Sequence, residues 1–308
     1  MRLIRGQHNL RSGDRGCVLS IGNFDGVHRG HQALLALARG HADRLGLPLA
    51  VLTFDPTPRE FFTPAQAPPR VATLHDKLDD LARHGVDRVL LQRFDARFAA
   101  LTPAAFVHDL LGQRLGVRLL VVGDDFRFGQ ARAGDVEFLR RTGPTAGFEL
   151  AALPTVEEGA QRCSSTRLRA ALAAADLDQA ARLLGHPYRL SGRVRRGLQL
   201  GRTLAMPTAN LPLRHPPALR LGVYAVEGEL DGRRLPGVAN LGVRPTLGHT
   251  PCLLETHFFE PPGELYGRCL RVRFHRFLRP EQRFDSLDAL AAQMQRDKLV
   301  ARACLRDC

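Results

Sequence analysis

Residues 22–31 read Gly22-Asn23-Phe24-Asp25-Gly26-Val27-His28-Arg29-Gly30-His31, with two imidazoles and three glycines between an apolar run and an amphipathic segment. Glycines at 22, 26 and 30 remove side chains where the chain turns, so peptide N–H groups at a helix start can face an anion with the help of the helix dipole. A phosphate fits such a place. His28 and His31 are three apart, so in a first helical turn they lie on one side, and both can donate to a phosphoryl oxygen. A phosphate under attack needs fixed donors of this kind and little covalent chemistry from the protein. Taken alone, two histidines at a helix start are also ordinary surface or capping residues; Asn23, Asp25 and the clustered glycines favour chemistry. Gly22, Asn23, Phe24, Asp25 and Gly30 are accordingly candidate contacts to a phosphate-bearing ligand.

Three further stretches offer chemistry. Gly123-Asp124-Asp125-Phe126-Arg127-Phe128-Gly129 carries carboxylates and aromatics out of an apolar run, either as a ligand loop through Asp125 and Phe126 or as a polar turn with its rings in the core. Cys163-Ser164-Ser165-Thr166-Arg167-Leu168-Arg169 puts hydroxyls and arginines at a helix start, which serves for capping or for binding phosphate oxygens. In residues 197–210, Gly197 and Gly201 let a loop approach phosphates beside Arg202, and Thr208 and Asn210 alternate on one face of an extended segment. A hard Mg²⁺ on nucleotide phosphates needs only one or two such oxygens, although Pro207-Thr208-Ala209-Asn210 also reads as a plain turn. Glu255 lies inside an apolar run, Leu253 to Phe259, as an exposed alternation partner or as a tuned base.

These residues need elements to hold them. Cys17–Ile21, Leu49–Phe54, Arg88–Gln92, Leu119–Val122 and Phe148–Leu153 are short apolar runs that read as strands. Helices fall between them: Leu34, Leu35, Leu37 and Ala38 share a face, as do Leu74, Leu78 and Leu81, and Thr102-Pro103 caps a segment burying Phe106, Leu110 and Leu111. Strands alternating with helices predict an α/β N-terminal, Rossmann-like domain, a parallel sheet with helices on both faces whose ligands gather beyond the strand carboxyl ends. After Gly185-His186-Pro187 helical periodicity gives way to short alternating runs, 188–194, 222–230, 235–239, 253–259 and 269–274, separated by Gly and Pro turns. That pattern predicts a C-terminal all-β antiparallel barrel, closed by an amphipathic helix over 287–303. The expected domains are 1–185 and 186–308.

At 308 residues there is room for two cores. No run of about 18 apolar residues is present, which argues against a membrane span, and the N-terminal residues lack a secretory pattern, so a cytoplasmic location is expected. Six cysteines at 17, 163, 252, 269, 304 and 308 have neither zinc nor disulfide-framework spacing and are expected as free thiols. The net charge of +13 suits an acidic ligand. It comes almost wholly from dispersed arginine, since Lys77 and Lys298 are the only lysines, and no aromatic–basic platform accompanies it, which argues against nucleic acid as partner. The sequence says nothing about oligomeric state.

Residues 22–31 resemble the H-x-G-H nucleotidylyltransferase signature, and in the longer form G-N-F-D-G-V-H-x-G-H the opening of the bacterial bifunctional riboflavin kinase/FAD synthetase family. The resemblance extends from about residue 15 to 303: Gly123–Gly129 matches its G-x-D-F-x-F-G motif, Ser164–Arg169 its S-S-T-x-[IL]-R motif, and Pro207–Asn210 its P-T-A-N kinase motif. Residues 237–246, 265–267 and 277–284 follow in the family's order. The resemblance implies riboflavin kinase in the C-terminal domain and FMN adenylyltransferase in the N-terminal one, with ATP, riboflavin and FMN as small-molecule partners. It implies that His28 and His31 assist adenylyl transfer and that Asp125 contacts nucleotide or flavin. Ser165, Thr166 and Arg169 then meet the triphosphate, Thr208 and Asn210 hold the metal of Mg-ATP, and Glu255 is the base that takes the proton of the ribityl 5′-hydroxyl. One departure is Ala205-Met206, where the family has Gly-aromatic; His257 and Glu260 are assigned nothing. The alternatives are a single-activity nucleotidylyltransferase with a non-catalytic barrel and an RNA-binding protein.

Overall fold

A computed structural model of the chain describes residues 1–197, 206–243, 252–260 and 263–306. It divides into two compact units, Met1–Pro68 with Lys77–Ser164, and Pro69–Asp76 with Ser165–Cys308.

The first unit is built on six parallel strands: β1 (Arg2–Arg5), β2 (Cys17–Ile21), β3 (Leu49–Phe54), β4 (Arg88–Gln92), β5 (Val117–Gly123) and β6 (Glu149–Leu153). All five residues of β2 and all six of β3 are buried, the mark of a sheet covered on both faces. Period-two alternation divides them between two cores. Cys17, Leu19 and Ile21 face a cluster with Phe98, Phe106 and Leu111, whereas Val18 faces one with Leu34, Leu35 and Ala38 of helix α1 (Arg29–Leu45). Thr102 caps the helical segment after β4, accepting from the Ala105 N–H at 3.2 Å; Phe106, Leu110 and Leu111 are buried as expected, though the turns over Phe106–Arg114 are π-helical.

Strand order is β1-β4-β3-β2-β5-β6. The chain builds outward from β2 through β3 and β4, then returns to lay β5 on the other side of β2. Ligands of open α/β sheets bind at such a reversal, beyond the carboxyl ends of the two strands, and here those ends lead into residues 22–28 and 124–129. Residues 88–92 form the fourth strand rather than the third, because Arg2–Arg5 makes an edge strand beside them whose Arg-Leu-Ile-Arg pattern is too polar to read as one. Past β6 the chain makes a two-stranded hairpin, β7 (Glu157–Glu158) and β8 (Gln161–Arg162).

The second unit begins its main chain run with helices α2 (Ser165–Ala173) and α3 (Leu177–Leu184). Six antiparallel strands follow: β9 (Arg189–Arg193), β10 (Ala209–Leu213), β11 (Gly222–Leu230), β12 (Arg233–Gly242), β13 (Cys252–Phe258) and β14 (Cys269–Arg279), in the order β10-β13-β12-β11-β14-β9. The two ends of the sheet meet where the Arg195 N–H donates to the Asn210 carbonyl at 2.9 Å, giving a near-barrel. Tyr224 and Phe274 cross edge to face at 5.2 Å inside it. The terminal helix α4 (Leu287–Arg306) covers the opposite face of β11 and β12 through Val223, Ala225, Val238 and Ala301. The expected boundary near 185 and the packing divide the chain at different points, since Arg220 N–H donates to the Leu172 carbonyl at 3.0 Å and ties α2 to the residues of the second unit.

Arg279 grips α4 by a forked pair: its Nε and Nη2 donate to the two oxygens of Asp297 at 2.9 and 2.7 Å, and Gln293 adds a 2.8 Å bond. The Asp297 side chain is only 8% exposed, so removing it strands a largely buried guanidinium. Asp297→Ala is expected to lower the stability of this unit by about 3 kcal/mol. All three tyrosines (188, 224 and 266) lie in it and the chain has no tryptophan, so a urea melt followed by tyrosine near-UV circular dichroism reads this unit alone.

Among the described residues no helix is long and apolar enough to cross a membrane. Cys17 and Cys252 are free thiols; burial pushes Cys17 up to about 12 and Cys252 up to about 11, so both stay protonated and unreactive. Cys308 lies outside the described residues.

Candidate functional site

The first site grows from the end of β2. The chain turns through two left-handed non-glycine residues, Phe24 (φ 47°) and Val27 (φ 36°), with Gly26 between them. A β-branched residue there is strained by about 1–3 kcal/mol. The turn is held against that strain by bonds from Thr53 Oγ1 to the Asn23 carbonyl (3.1 Å) and from Gln32 Nε2 to the Val27 carbonyl (2.9 Å). Burial of Phe24 and Val27 in the core beside α1 adds to the hold. Phe24 is fully buried, and its ring packs in the core and anchors the turn.

His28 caps α1, its Nδ1 accepting from the His31 N–H at 3.4 Å. The two imidazoles stack with centroids 3.8 Å apart and 19° between planes, and His31 leans on Phe24 at 5.0 Å. Gly30 is what permits this: a Cβ there would lie 3.2 Å from the His28 ring and 3.3 Å from the Cys163 carbonyl. Gly22 has the same character, since a Cβ would meet the Phe24 ring at 3.2 Å. Asp25 is buried.

The loop after β5 divides the two outcomes foreseen for its rings. Phe128 is buried in the core; Phe126 is half-buried and stacks on it at 5.7 Å. Asp125 is exposed and paired with Arg162 of β8, while Glu158 of β7 lies 3.7 Å from Arg29, inside the H-x-G-H segment. The hairpin is thus tied to both loops at the strand ends. Chain reading missed it because two-residue strands leave no periodic signal.

Also missed is a cavity of about 610 Å³ beyond the ends of β2 to β5, lined by Phe54, Phe62, Phe94, Phe98 and Phe126 with Pro58. Phe94 meets Phe54 and Phe62 at 5.6 Å each. Arg59, Arg127 and Arg132 stand at its wall. A flat aromatic ligand with an anionic tail suits such a space. A signal existed in the sequence: phenylalanines recur at or just past the carboxyl end of successive strands.

Ser165, Thr166 and Arg169 open α2 in the second unit, where Arg169 Nε donates to the Pro69 carbonyl at 2.9 Å. Ser165 is covalently two residues from Cys163, whose carbonyl lies beside Gly30.

The second site lies on the sheet face that α4 covers. Asn210 pairs directly with Glu255, and Glu255 with Asn240, so the three side chains share one face. Asn210 is buried; its Nδ2 donates to the Thr208 carbonyl at 3.3 Å, which turns Oδ1 the other way as a hard oxygen donor. Gly197 makes room for that amide, a Cβ there falling 2.8 Å from it. Thr208 and Glu255 line a cavity of about 360 Å³ together with Met206, Asn240, His257 and Met294. His257, two residues from Glu255, is buried, and burial holds it below its usual value. It is therefore neutral near pH 7, with Nδ1–H donating to the Pro207 carbonyl at 3.0 Å. Gly201, Arg202 and Ala205 lie outside the described residues.

A family model described as FAD synthetase matches residues 10–167, and one described as riboflavin kinase matches residues 184–305. A bifunctional riboflavin kinase/FMN adenylyltransferase of Pseudomonas fluorescens is 51% identical over 304 residues, covering 98% of this chain and 97% of its own. The protein of the same description from Escherichia coli K12 is 50% identical with the same coverage. A solved structure described as a macrolide-efflux protein from Streptococcus pneumoniae shares the fold at a TM-score of 0.78 and 29% identity, covering 98% of this chain and 99% of that one. With both family models matched in that order and half of its residues shared with these relatives over nearly the whole length, the chain belongs to the bifunctional riboflavin kinase/FMN adenylyltransferase family.

Proposed function

We propose that this chain makes FAD from riboflavin in two ATP-dependent steps, with the catalytic division at about residue 185. The observation that carries the reading is that each unit holds a candidate reactive pair: stacked His28 and His31 at a helix N-terminus in one, and Glu255 aligned with Asn210 beside a cavity in the other.

In the kinase step the ribityl 5′-hydroxyl of riboflavin attacks the γ-phosphorus of ATP, its proton passes to Glu255, and ADP leaves. Thr208 and Asn210 supply oxygens that suit Mg²⁺, which when bound neutralises phosphate charge. Gly197 serves the nucleotide phosphates, a role the sequence motif extends to Gly201 and Arg202, which lie outside the described residues. The isoalloxazine rests against Met206 and Met294, a flexible thioether contact in place of the family's aromatic residue.

In the adenylyl step an FMN phosphate oxygen attacks the α-phosphorus of ATP and pyrophosphate leaves. His28 and His31 donate to the phosphoryl oxygens as charge builds, with the N-terminus of α1 behind them. Gly22, Asn23, Asp25 and Gly30 shape the cradle, Asp125 and Phe126 meet nucleotide or flavin, and Ser165, Thr166 and Arg169 meet the triphosphate. The phenylalanine-lined cavity takes the flavin ring. Purified protein given riboflavin, ATP and Mg²⁺ is expected to yield FMN and then FAD by liquid chromatography, and EDTA is expected to stop it. Formation of neither flavin would overturn the reading.

A further inference from the structure

Five strands of the second unit each give one residue to a single transverse row. Asn210, Glu255, Asn240, Val223 and Arg279 are successive direct partners across β10, β13, β12, β11 and β14. Directly opposed residues of an antiparallel sheet share a face, with Cβ atoms about 4.5–5.5 Å apart. Asn240 thus stands beside Glu255, and both line the cavity.

Asn240 has a fixed orientation. Its Nδ2 donates to Glu281 Oε1 at 3.2 Å, and because a carboxylate only accepts, the amide nitrogen must be on that side and Oδ1 on the other. Glu281 reaches this position through residue 242, two along β12 from Asn240 and on the same face. Gly242 leaves a notch there: a Cβ would take the place of the Glu281 carboxylate oxygen and lie 3.2 Å from Asn240 Nδ2. Thus a glycine on one strand and a glutamate 41 residues from Asn240 combine to aim one amide oxygen next to the candidate base.

We propose that Asn240, oriented by Glu281 seated in the Gly242 notch, positions the polyol substrate of the kinase step. Its Oδ1 accepts from the hydroxyl next to the reacting one, so that the terminal hydroxyl is presented to Glu255. This rests on the reading of Glu255 as the base. A flexible polyol has many rotamers, and one fixed acceptor beside the base selects the chain conformation in which the terminal oxygen can be deprotonated. Asn240 thereby contributes to specificity for a chain ending in adjacent hydroxyls, while Glu281 and Gly242 act through it.

The test is steady-state riboflavin phosphorylation by the full chain, with tyrosine near-UV dichroism to show that the second unit is folded. Asn240→Ala is expected to raise the riboflavin KM about tenfold, the scale of one net hydrogen bond, and to leave the ATP KM unchanged. Glu281→Ala and Gly242→Ala are expected to shift it the same way; the second displaces the end of the exposed Glu281 side chain and crowds the Asn240 amide, so it perturbs the notch without emptying a core. Glu281→Gln, which keeps an acceptor oxygen in place, restores most of the loss. The double variant Asn240→Ala/Glu281→Ala is no worse than Asn240→Ala alone. On a riboflavin analogue lacking the hydroxyl next to the terminal one, wild type and Asn240→Ala should have equal kcat/KM. An unchanged riboflavin KM in Asn240→Ala, additive effects in the double variant, or a full Asn240→Ala defect on the deoxy analogue each overturns the proposal. Glu255→Gln separates this from the reading beneath it: if that variant phosphorylates normally the base assignment fails, and if it is inactive while Asn240→Ala is normal, only the positioning role fails.

Discussion

His31→Ala loses FAD formation by a factor of about 10²–10³, the scale for removing one preorganised donor from a transition state, and keeps riboflavin phosphorylation at the wild-type rate. The imidazole lies at the first turn of α1, stacked 3.8 Å from His28, and its backbone N–H already donates to His28 Nδ1. Alanine keeps the N–H and the helix, so His28 stays in place as the cap and only the second donor is lost. Phosphorylation is spared because Glu255 and Thr208 belong to the other compact unit. Supplying FMN and ATP and following pyrophosphate release measures the first effect; supplying riboflavin and counting FMN measures the second. Undiminished FAD formation would remove His31 from the chemistry.

Glu255→Gln loses phosphorylation by about 10³-fold, within the range for a general base, while FMN supplied directly is still converted to FAD. Glutamine is nearly isosteric and can bond to either direct neighbour, Asn210 or Asn240, so the sheet persists. What disappears is the acceptor for the hydroxyl proton as the oxygen attacks. A variant that phosphorylates riboflavin at the normal rate would return Glu255 to the bland role of an alternation partner.

How much of this was legible depended on how local each feature is. The loop at 22–31 could be read because its glycines, histidines and following amphipathic face are contiguous, and the same holds for Pro207–Asn210. The two fold classes were legible because five apolar runs alternate with helical faces before residue 185 and strand-length runs succeed one another after it. The burial of the Phe24 ring was not legible because sequence gives no sign that a left-handed turn at φ 47° sends it back into the core. The edge strand Arg2–Arg5 was invisible because a sheet edge tolerates charge. The phenylalanine cavity was hidden because its walls come from residues 54, 62, 94, 98 and 126, brought together only by the parallel sheet. Glu281 could not be tied to Asn240 without the register of β12 against β13 and the notch at Gly242.

The two units also account for one chain running two similar but opposed demands. Adenylyl transfer needs donors aimed at a phosphate that both reactants crowd with negative charge, which is the role proposed for a helix N-terminus with two imidazoles. Phosphorylation of a neutral hydroxyl needs a base, and Glu255 is the proposed one, in a cavity it lines together with Thr208 and Asn240.

The proposed division of labour has the C-terminal site making FMN and the N-terminal site converting it to FAD. It is tested most directly by mixing His31→Ala and Glu255→Gln proteins with riboflavin, ATP and Mg²⁺. Neither variant alone should turn riboflavin into FAD, the first stopping at FMN and the second leaving riboflavin untouched, whereas the mixture should make FAD. A mixture that makes none, or a single variant that makes FAD from riboflavin, would contradict it.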